Sequence, residues 1–221
     1  LRTGILMSAL DTPHKVVLVT SSVPEEGKTS VAMNIAFSLA NVKRTCLIDA
    51  DMRRPTIARI LGLDANAPGL SHLVAGTEPP ARCIYEYEQS GLYYIPSGAI
   101  PPNPLELLSS KRFSDALKKL EESFDIIIID TPPVQLVSDA VIIAGVANAM
   151  VYVVRADSTP YQIALGGIEM MRKGRAHLIG VVLNRLDVEK AERYHGYGKY
   201  FSYGGKYGRY KRYGYASGAK K

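Results

Sequence analysis

The sequence predicts an α/β fold: a parallel sheet with helices on both faces. Three observations carry this expectation. Short β-branched apolar runs of four to six residues recur along the chain, too short for helices and too continuously apolar for strands with one wet face. Segments with apolar residues at helical spacing separate them. Hydrophobic residues make up 47% of the 221 and charged residues 22%, which supplies a sizeable core and excludes global disorder.

The elements follow in order. Val16–Thr20 (VVLVT) reads as a buried strand, and Thr29–Asn41 as a helix with Val31, Ile35 and Leu39 beside Ala32 and Ala36. Thr45–Asp49 (TCLID) is the next strand. Pro55–Leu61 and Gly69–Ala75 suggest short helices, Leu92–Ile95 (LYYI) a strand, and 96–104 a loop rich in Pro and Gly. Leu105–Ser123 is helical, in one or two pieces, and leads to the apolar run Asp125–Asp130 (DIIIID). The longest apolar stretch, Ala140–Val154, has 15 residues and contains Gly145 and Asn148. A membrane span needs about 20, so the stretch reads as a helix end running into a strand at Met150–Val154. A helix over Pro160–Lys173 and a strand over His177–Leu183 complete the alternation. Strands joined by helical crossovers imply a parallel sheet.

Composition divides the chain into a domain over 1–189 and a tail over 190–221. The net charge is +6, but residues 190–221 hold nine Lys/Arg against Glu192 alone, leaving −2 on the remainder. The basic balance therefore belongs to the tail and is a poor argument that the domain binds nucleic acid. Residues 194–215 contain eight tyrosines (Tyr194, Tyr197, Tyr200, Tyr203, Tyr207, Tyr210, Tyr213 and Tyr215) and no Leu, Ile or Val. Such a segment buries no core and is expected to be a disordered tail. Cys46 and Cys83 lie far apart without CxxC spacing, which argues against a disulfide scaffold or zinc module and suits a reducing compartment. His14, His72, His177 and His195 form no ligand spacing. The sequence starts at Leu1 without a signal peptide and reads as a soluble fragment.

Three motifs carry chemistry. The strand Val16–Thr20 runs through Ser21-Ser22-Val23-Pro24-Glu25-Glu26-Gly27-Lys28-Thr29-Ser30 into a helix, the context of a phosphate-binding loop. Backbone N–H groups from Glu25 to Ser30 could hold phosphate oxygens at the helix N-terminus. Lys28 would reach the β- and γ-phosphates of ATP, and Thr29 would place its hydroxyl on Mg²⁺. Ser22 stands where the pattern G-x-x-x-x-G-K-[ST] has its first Gly. Taken alone, the motif also describes a helix N-terminus with an exposed lysine. The second motif is Leu47-Ile48-Asp49-Ala50-Asp51-Met52-Arg53-Arg54-Pro55. Its acids, two apart at a strand's carboxyl end, point to one side; they could serve Mg²⁺ and an attacking hydroxyl, or pair with Arg53 or Arg54 in a solvated turn. The third is Asp130, closing an apolar strand before Thr131-Pro132-Pro133, the pattern of an acid that contacts Mg²⁺ directly or through water, or of an acid that merely caps the strand end. Three such signals on three strands, in this order, make the fold P-loop NTPase-like.

At these residues the chain resembles the bacterial tyrosine kinases (BY-kinases), P-loop kinases of capsule and exopolysaccharide assembly. The resemblance lies in Ser-x-x-Pro-x-Glu-Gly-Lys-Thr at 21–29, Leu-Ile-Asp-Ala-Asp-Met-Arg-Arg-Pro at 47–55, Asp-x-Ile-Ile-Ile-Asp-Thr-Pro-Pro at 125–133, Pro-Pro-Asn-Pro-x-Glu-Leu-Leu at 101–108 and the tyrosine-rich tail. It implies that Lys28 and Thr29 bind nucleotide and Mg²⁺, that Asp51 and Asp130 serve the metal, and that Asp49 lies beside the tyrosine hydroxyl. It implies that the tail tyrosines are autophosphorylated between subunits. Of the family's oligomerisation motif, Leu1-Arg2-Thr3 retains the last arginine, Arg2, and the resemblance implies a homo-oligomer of ring type. It also implies protein tyrosine substrates, and a membrane-spanning activator region or partner outside this sequence, on the cytoplasmic side of the inner membrane. Asn184, after the last strand, stands where related ATPases place an adenine contact. Thr56 occupies the position of a regulatory tyrosine in some members, so that switch is not expected here.

Two other readings compete. Partition-type and septum-site ATPases resemble this chain in fold, but they carry a further lysine near the loop's start, around Ser21–Ser22, and no tyrosine tail. A nucleic-acid-binding module would use the tail, where aromatic residues interleave with Lys and Arg; joined to an ATP site, those tyrosines read better as acceptors.

Overall fold

A computed structural model describes residues 1–8, 14–175 and 177–187. Its centre is a seven-stranded sheet. The strands are β1 (Val16–Ser21), β2 (Thr45–Asp49), β3 (Tyr85–Tyr87), β4 (Leu92–Ile95), β5 (Ile126–Asp130), β6 (Ala149–Arg155) and β7 (His177–Asn184). Their spatial order is β3-β4-β2-β5-β1-β6-β7. All neighbouring pairs run parallel except β3 with β4. The helices are α1 (Arg2–Ser8), α2 (Lys28–Ala40), α3 (Ile57–Ile60), α4 (Leu70–Ala75), α5 (Pro80–Cys83), α6 (Pro104–Ser109), α7 (Lys111–Ser123), α8 (Asp139–Ala144) and α9 (Tyr161–Lys173).

The continuous apolar runs are explained by burial on both faces. Every residue of β1, β2 and β5 is buried, and alternate residues feed two separate cores. Val17 and Val19 join Val31, Ile35 and Leu39 of α2 on one face. Val16 and Leu18 join Leu108, Phe113, Ile143 and Met171 from α6–α9 on the other. The helical region over 105–123 breaks at Ser110, whose Oγ accepts the Phe113 N–H at 3.2 Å and starts α7. Asn103 starts α6 in the same way, accepting the Glu106 N–H at 3.3 Å; such N-caps are worth about 1 kcal/mol each.

Three elements escape the periodicity: α1, α5 and the three-residue β3. The last is held by pairing with β4 rather than by a pattern of its own. β7 departs from the both-faces-covered expectation. As the outer strand it leaves Val181 and Leu183 half exposed. Residues Leu1–Asn184 form one compact unit. The predicted tail from residue 190, with its eight tyrosines, lies outside the described residues.

Register places the chemistry. Asp49 is the lateral partner of Asp130 across β2 and β5, and Val19 is the partner of Asp130 across β1. The carboxyl ends of β1, β2, β5, β6 and β7 thus form one edge, where ligands bind in open parallel sheets.

Candidate active site

The loop between β1 and α2 is shaped by two left-handed residues, Glu25 at φ 66° and Gly27 at φ 87°. Alternating right- and left-handed residues turn successive N–H groups into one concavity, an anion cradle. Among the described residues no side chain caps α2, whose N-cap is Gly27; its first-turn N–H groups remain open to an anion. Glycine is required at 27 on two counts. Its φ is left-handed, and an added Cβ would come within 2.2 Å of Asn184 Nδ2. Ser30 is exposed and Thr29 half-buried in that first turn.

The loop is braced from behind. The Glu26 carboxylate is buried and accepts the Val23 N–H at 2.8 Å, the Arg155 N–H at 3.2 Å and the Thr159 hydroxyl at 2.5 Å. Asn184 Nδ2 donates to the Glu26 carbonyl at 2.8 Å, tying the loop to the end of β7. Ser22 Oγ meets the Tyr152 hydroxyl at 3.0 Å in the core. Burial, and the Glu26 charge with it, holds the Tyr152 phenol up at about 12 despite the Ser22 contact. The Glu26 side chain is therefore committed to the loop's own architecture, and only its backbone faces the cradle. Asn184 likewise spends its amide nitrogen on the loop.

In front of the cradle stand the acids. Lys28 Nζ lies 2.8 Å from Asp51 Oδ2 and 3.6 Å from Asp130 Oδ1, and donates to Thr29 Oγ1 at 3.3 Å. Thr29 Oγ1 in turn donates to Asp130 Oδ2 at 2.6 Å. Burial works against the Lys28 ammonium, but Asp130 and Asp51 outweigh it and raise its pKa. Asp130 is pushed up to about 6 by burial, against the pull of Lys28 and Thr29. Asp49 is pushed up to about 7 by burial and by the Asp130 charge. The Thr56 and Ile57 N–H groups, both 3.1 Å from Asp49 Oδ2, oppose that rise. Asp49 Oδ1 accepts the Asp51 N–H at 3.2 Å, so the carboxylate also shapes the turn that carries Asp51.

The residues fit a divalent metal. Asp130 Oδ1 is buried without a hydrogen bond, and Asp51, Asp130 and Thr29 supply hard oxygen donors. Among the described residues no three His, Cys, Asp or Glu side chains form a self-sufficient metal cage. That suits Mg²⁺, which takes one or two carboxylates and completes its shell with water and phosphate.

The structure thus brings Lys28, Thr29, Asp49, Asp51 and Asp130 together, with Glu25, Glu26, Gly27, Ser30 and Asn184 around them. Arg2 stands apart, exposed on α1, its Nη1 3.5 Å from the Ser38 carbonyl. Sequence reasoning missed Thr159 and Asp139. Asp139 takes the Arg53 guanidinium on both oxygens, at 3.0 and 3.2 Å, in place of the Asp51 pairing the turn suggested. No local pattern could have joined residues 86 positions apart.

Comparison with known proteins places this geometry. A family model described as an AAA domain matches residues 15–180, consistent with nucleotide binding. The chain is 34% identical over 199 residues to the tyrosine-protein kinase YwqD of Bacillus subtilis, covering 90% of this chain and 84% of that protein. It is 32% identical over 201 residues to the tyrosine-protein kinase Wzc of Salmonella typhimurium, covering 90% of this chain but 28% of that longer protein. Among solved structures it superposes on the kinase domain of VpsO with a TM-score of 0.79 at 38% identity, over 84% of this chain and 91% of that one. The chain belongs to the bacterial tyrosine-protein kinase family.

Proposed function

We propose that this chain transfers the γ-phosphate of Mg-ATP to tyrosines, its own tail first, and does so between subunits in an assembly that governs capsule or exopolysaccharide synthesis. The observation that carries the reading is the junction of Lys28, Thr29, Asp51 and Asp130 in front of an uncapped helix N-terminus. The cradle from Glu25 to Ser30 holds the phosphates through backbone N–H groups. Lys28 exchanges its acid partners for the β- and γ-phosphates when nucleotide enters. Thr29, Asp51 and Asp130 hold Mg²⁺, which neutralises charge on the phosphates when bound. A tyrosine hydroxyl oxygen attacks the γ-phosphorus, the bond to the β–γ bridging oxygen breaks, and ADP leaves. Asp49 orients that hydroxyl and takes its proton, a role that suits a carboxylate whose pKa lies near the working pH. Positioning and electrostatics supply the rate.

The regulatory setting rests on the resemblance of the chain to YwqD and Wzc. Among the described residues no helix is long and apolar enough to cross a membrane. We place the chain beside a membrane-spanning activator region, in a ring-type homo-oligomer to which Arg2 contributes. The test is intact mass of purified protein with and without Mg-ATP. Mass gains in steps of one phosphate, located on tyrosine, are expected. ATP hydrolysis with no covalent phosphate would instead favour a partition-type ATPase switch.

A further inference from the structure

The arginines that follow the acids pose a physical problem. Arg53 stands two residues after Asp51, and a guanidinium is a strong two-point partner for a carboxylate. Unrestrained, it would compete with Lys28, and with any bound cation, for Asp51. Instead both its Nε and Nη2 are bound to Asp139, the first residue of α8. The Asp139 side chain is fully buried whereas that of Arg53 is 41% exposed. The carboxylate is the fixed partner and the arginine the movable one. Among the described residues Arg53 is also the only hydrogen-bond donor to the Asp139 side chain.

Stability alone is a weak reason for this pair, because buried ion pairs often contribute no more than apolar replacements would. Location is a better one. Asp139 lies in the segment that follows Asp130, and Arg53 in the turn that follows Asp49, so the pair fastens together the two loops that bear the acids. The contact with Asp139 raises the pKa of Arg53 against the effect of burial, with smaller contributions from the charges of Asp139 and Asp51. Arg53 follows Asp51 by two residues in the same turn, and Asp139 holds its guanidinium by both Nε and Nη2.

We propose that Asp139 is a positioning residue that sequesters Arg53, keeping Asp51 available to a nucleotide-bound metal ion. The inference rests on the Mg-nucleotide reading above. Asp139→Asn keeps the side-chain shape but releases the guanidinium, which then competes for Asp51. The experiment measures binding of fluorescent mant-ADP to the full chain across Mg²⁺ concentrations, without turnover. Asp139→Asn should raise the half-saturating Mg²⁺ concentration roughly two- to fivefold, the scale of competition from a solvent-screened ion pair. The double variant Arg53→Gln/Asp139→Asn should return to the wild-type requirement, because the competitor is gone. A merely structural pair would not show that recovery. An unchanged requirement in Asp139→Asn, or a double variant as impaired as the single, would overturn the proposal. If Asp139→Asn does not fold, Arg53→Lys is the second arm. It keeps the buried carboxylate partnered but gives up the two-point grip, so a smaller rise is expected and no rise would overturn the proposal. Absence of Mg²⁺-dependent mant-ADP binding in the wild type would overturn the nucleotide reading itself, and this inference with it.

Discussion

The Lys28 ammonium lies 2.8 Å from Asp51 Oδ2 and 3.6 Å from Asp130 Oδ1, so the loop lysine itself neutralises the two carboxylates assigned to the metal. Without it, both acids would lose their ion-pair partner among the described residues. Lys28→Met should therefore lower the melting temperature of metal-free protein, by about 1 kcal/mol or ~2–4 °C for a domain of this size. Mg²⁺ alone should then stabilise Lys28→Met more than it stabilises the wild type, because the site no longer holds an internal cation. Thermal unfolding with and without Mg²⁺ checks this; equal Mg²⁺ stabilisation of both proteins would show that the lysine does not occupy the site.

Asp49 and Asp130, with folded pKa values of about 7 and about 6, set a pH dependence of definite sign. An acid whose folded pKa is raised binds more protons folded than unfolded, between its ordinary value near 4 and the raised one. Its contribution to stability is then lost as pH rises through that window. The melting temperature of metal-free protein should fall from about pH 5 to about pH 7.5. Asp49→Asn should flatten the upper part of that slope, although its amide nitrogen, a poor partner for the Asp51 N–H, lowers stability throughout. Parallel slopes in the two proteins would contradict the assignment.

Glu25 combines a left-handed backbone at φ 66° with a negative, exposed side chain in a phosphate cradle. Glu25→Gln removes the charge and keeps the backbone cost; Glu25→Gly removes both. Both variants should bind ADP more tightly at low salt, by roughly two- to fivefold, with the gain shrinking as salt rises. Only Glu25→Gly should relieve backbone strain of about 1 kcal/mol, less the entropy glycine adds to the unfolded chain. Unchanged ADP affinity in both would remove Glu25 from the site.

Gly27 and Asn184 are predicted to be coupled. Gly27→Ala meets a left-handed φ and a contact of 2.2 Å with Asn184 Nδ2. It should destabilise the protein by ~2 kcal/mol or more and weaken nucleotide binding. Removing the amide in Gly27→Ala/Asn184→Ala should recover part of that loss but not the backbone share. A double-mutant cycle on unfolding free energy reads the coupling; strict additivity would mean the loop moves aside freely.

Much of this was legible in sequence because the signals are local. Val16–Thr20, Thr45–Asp49 and Asp125–Asp130 read as strands because burial on both faces leaves no polar alternation to confuse with a helix. The acids at 49, 51 and 130 read as a site because each closes such a run. What could not be read depends on pairing across the sheet. The lateral alignment of Asp49 with Asp130, which adds the Asp130 charge to the burial that raises the Asp49 pKa, is a matter of register. Glu26 looked like part of the phosphate loop, and its contacts with the Arg155 N–H and the Thr159 hydroxyl, 129 and 133 positions away, show its side chain to be a brace. β3 carries three residues and no periodicity, so its antiparallel pairing with β4 exists only in the folded chain.

Tyrosine phosphorylation of one subunit's tail by another is tested most directly by one mixing measurement. A Lys28→Met chain with its tail intact is combined with an active chain lacking residues 190–221, Mg-ATP is added, and phosphopeptides are mapped by mass spectrometry. Loss of a transition-state phosphate contact typically costs two to three orders of magnitude in rate, roughly, so the Lys28→Met chain cannot modify itself appreciably. Phosphate is expected on its tail tyrosines, among Tyr194–Tyr215, supplied by the partner. An unmodified Lys28→Met tail in that mixture, while the intact wild-type chain modifies its own, would contradict transfer between subunits; no phosphotyrosine on any chain would contradict the kinase itself.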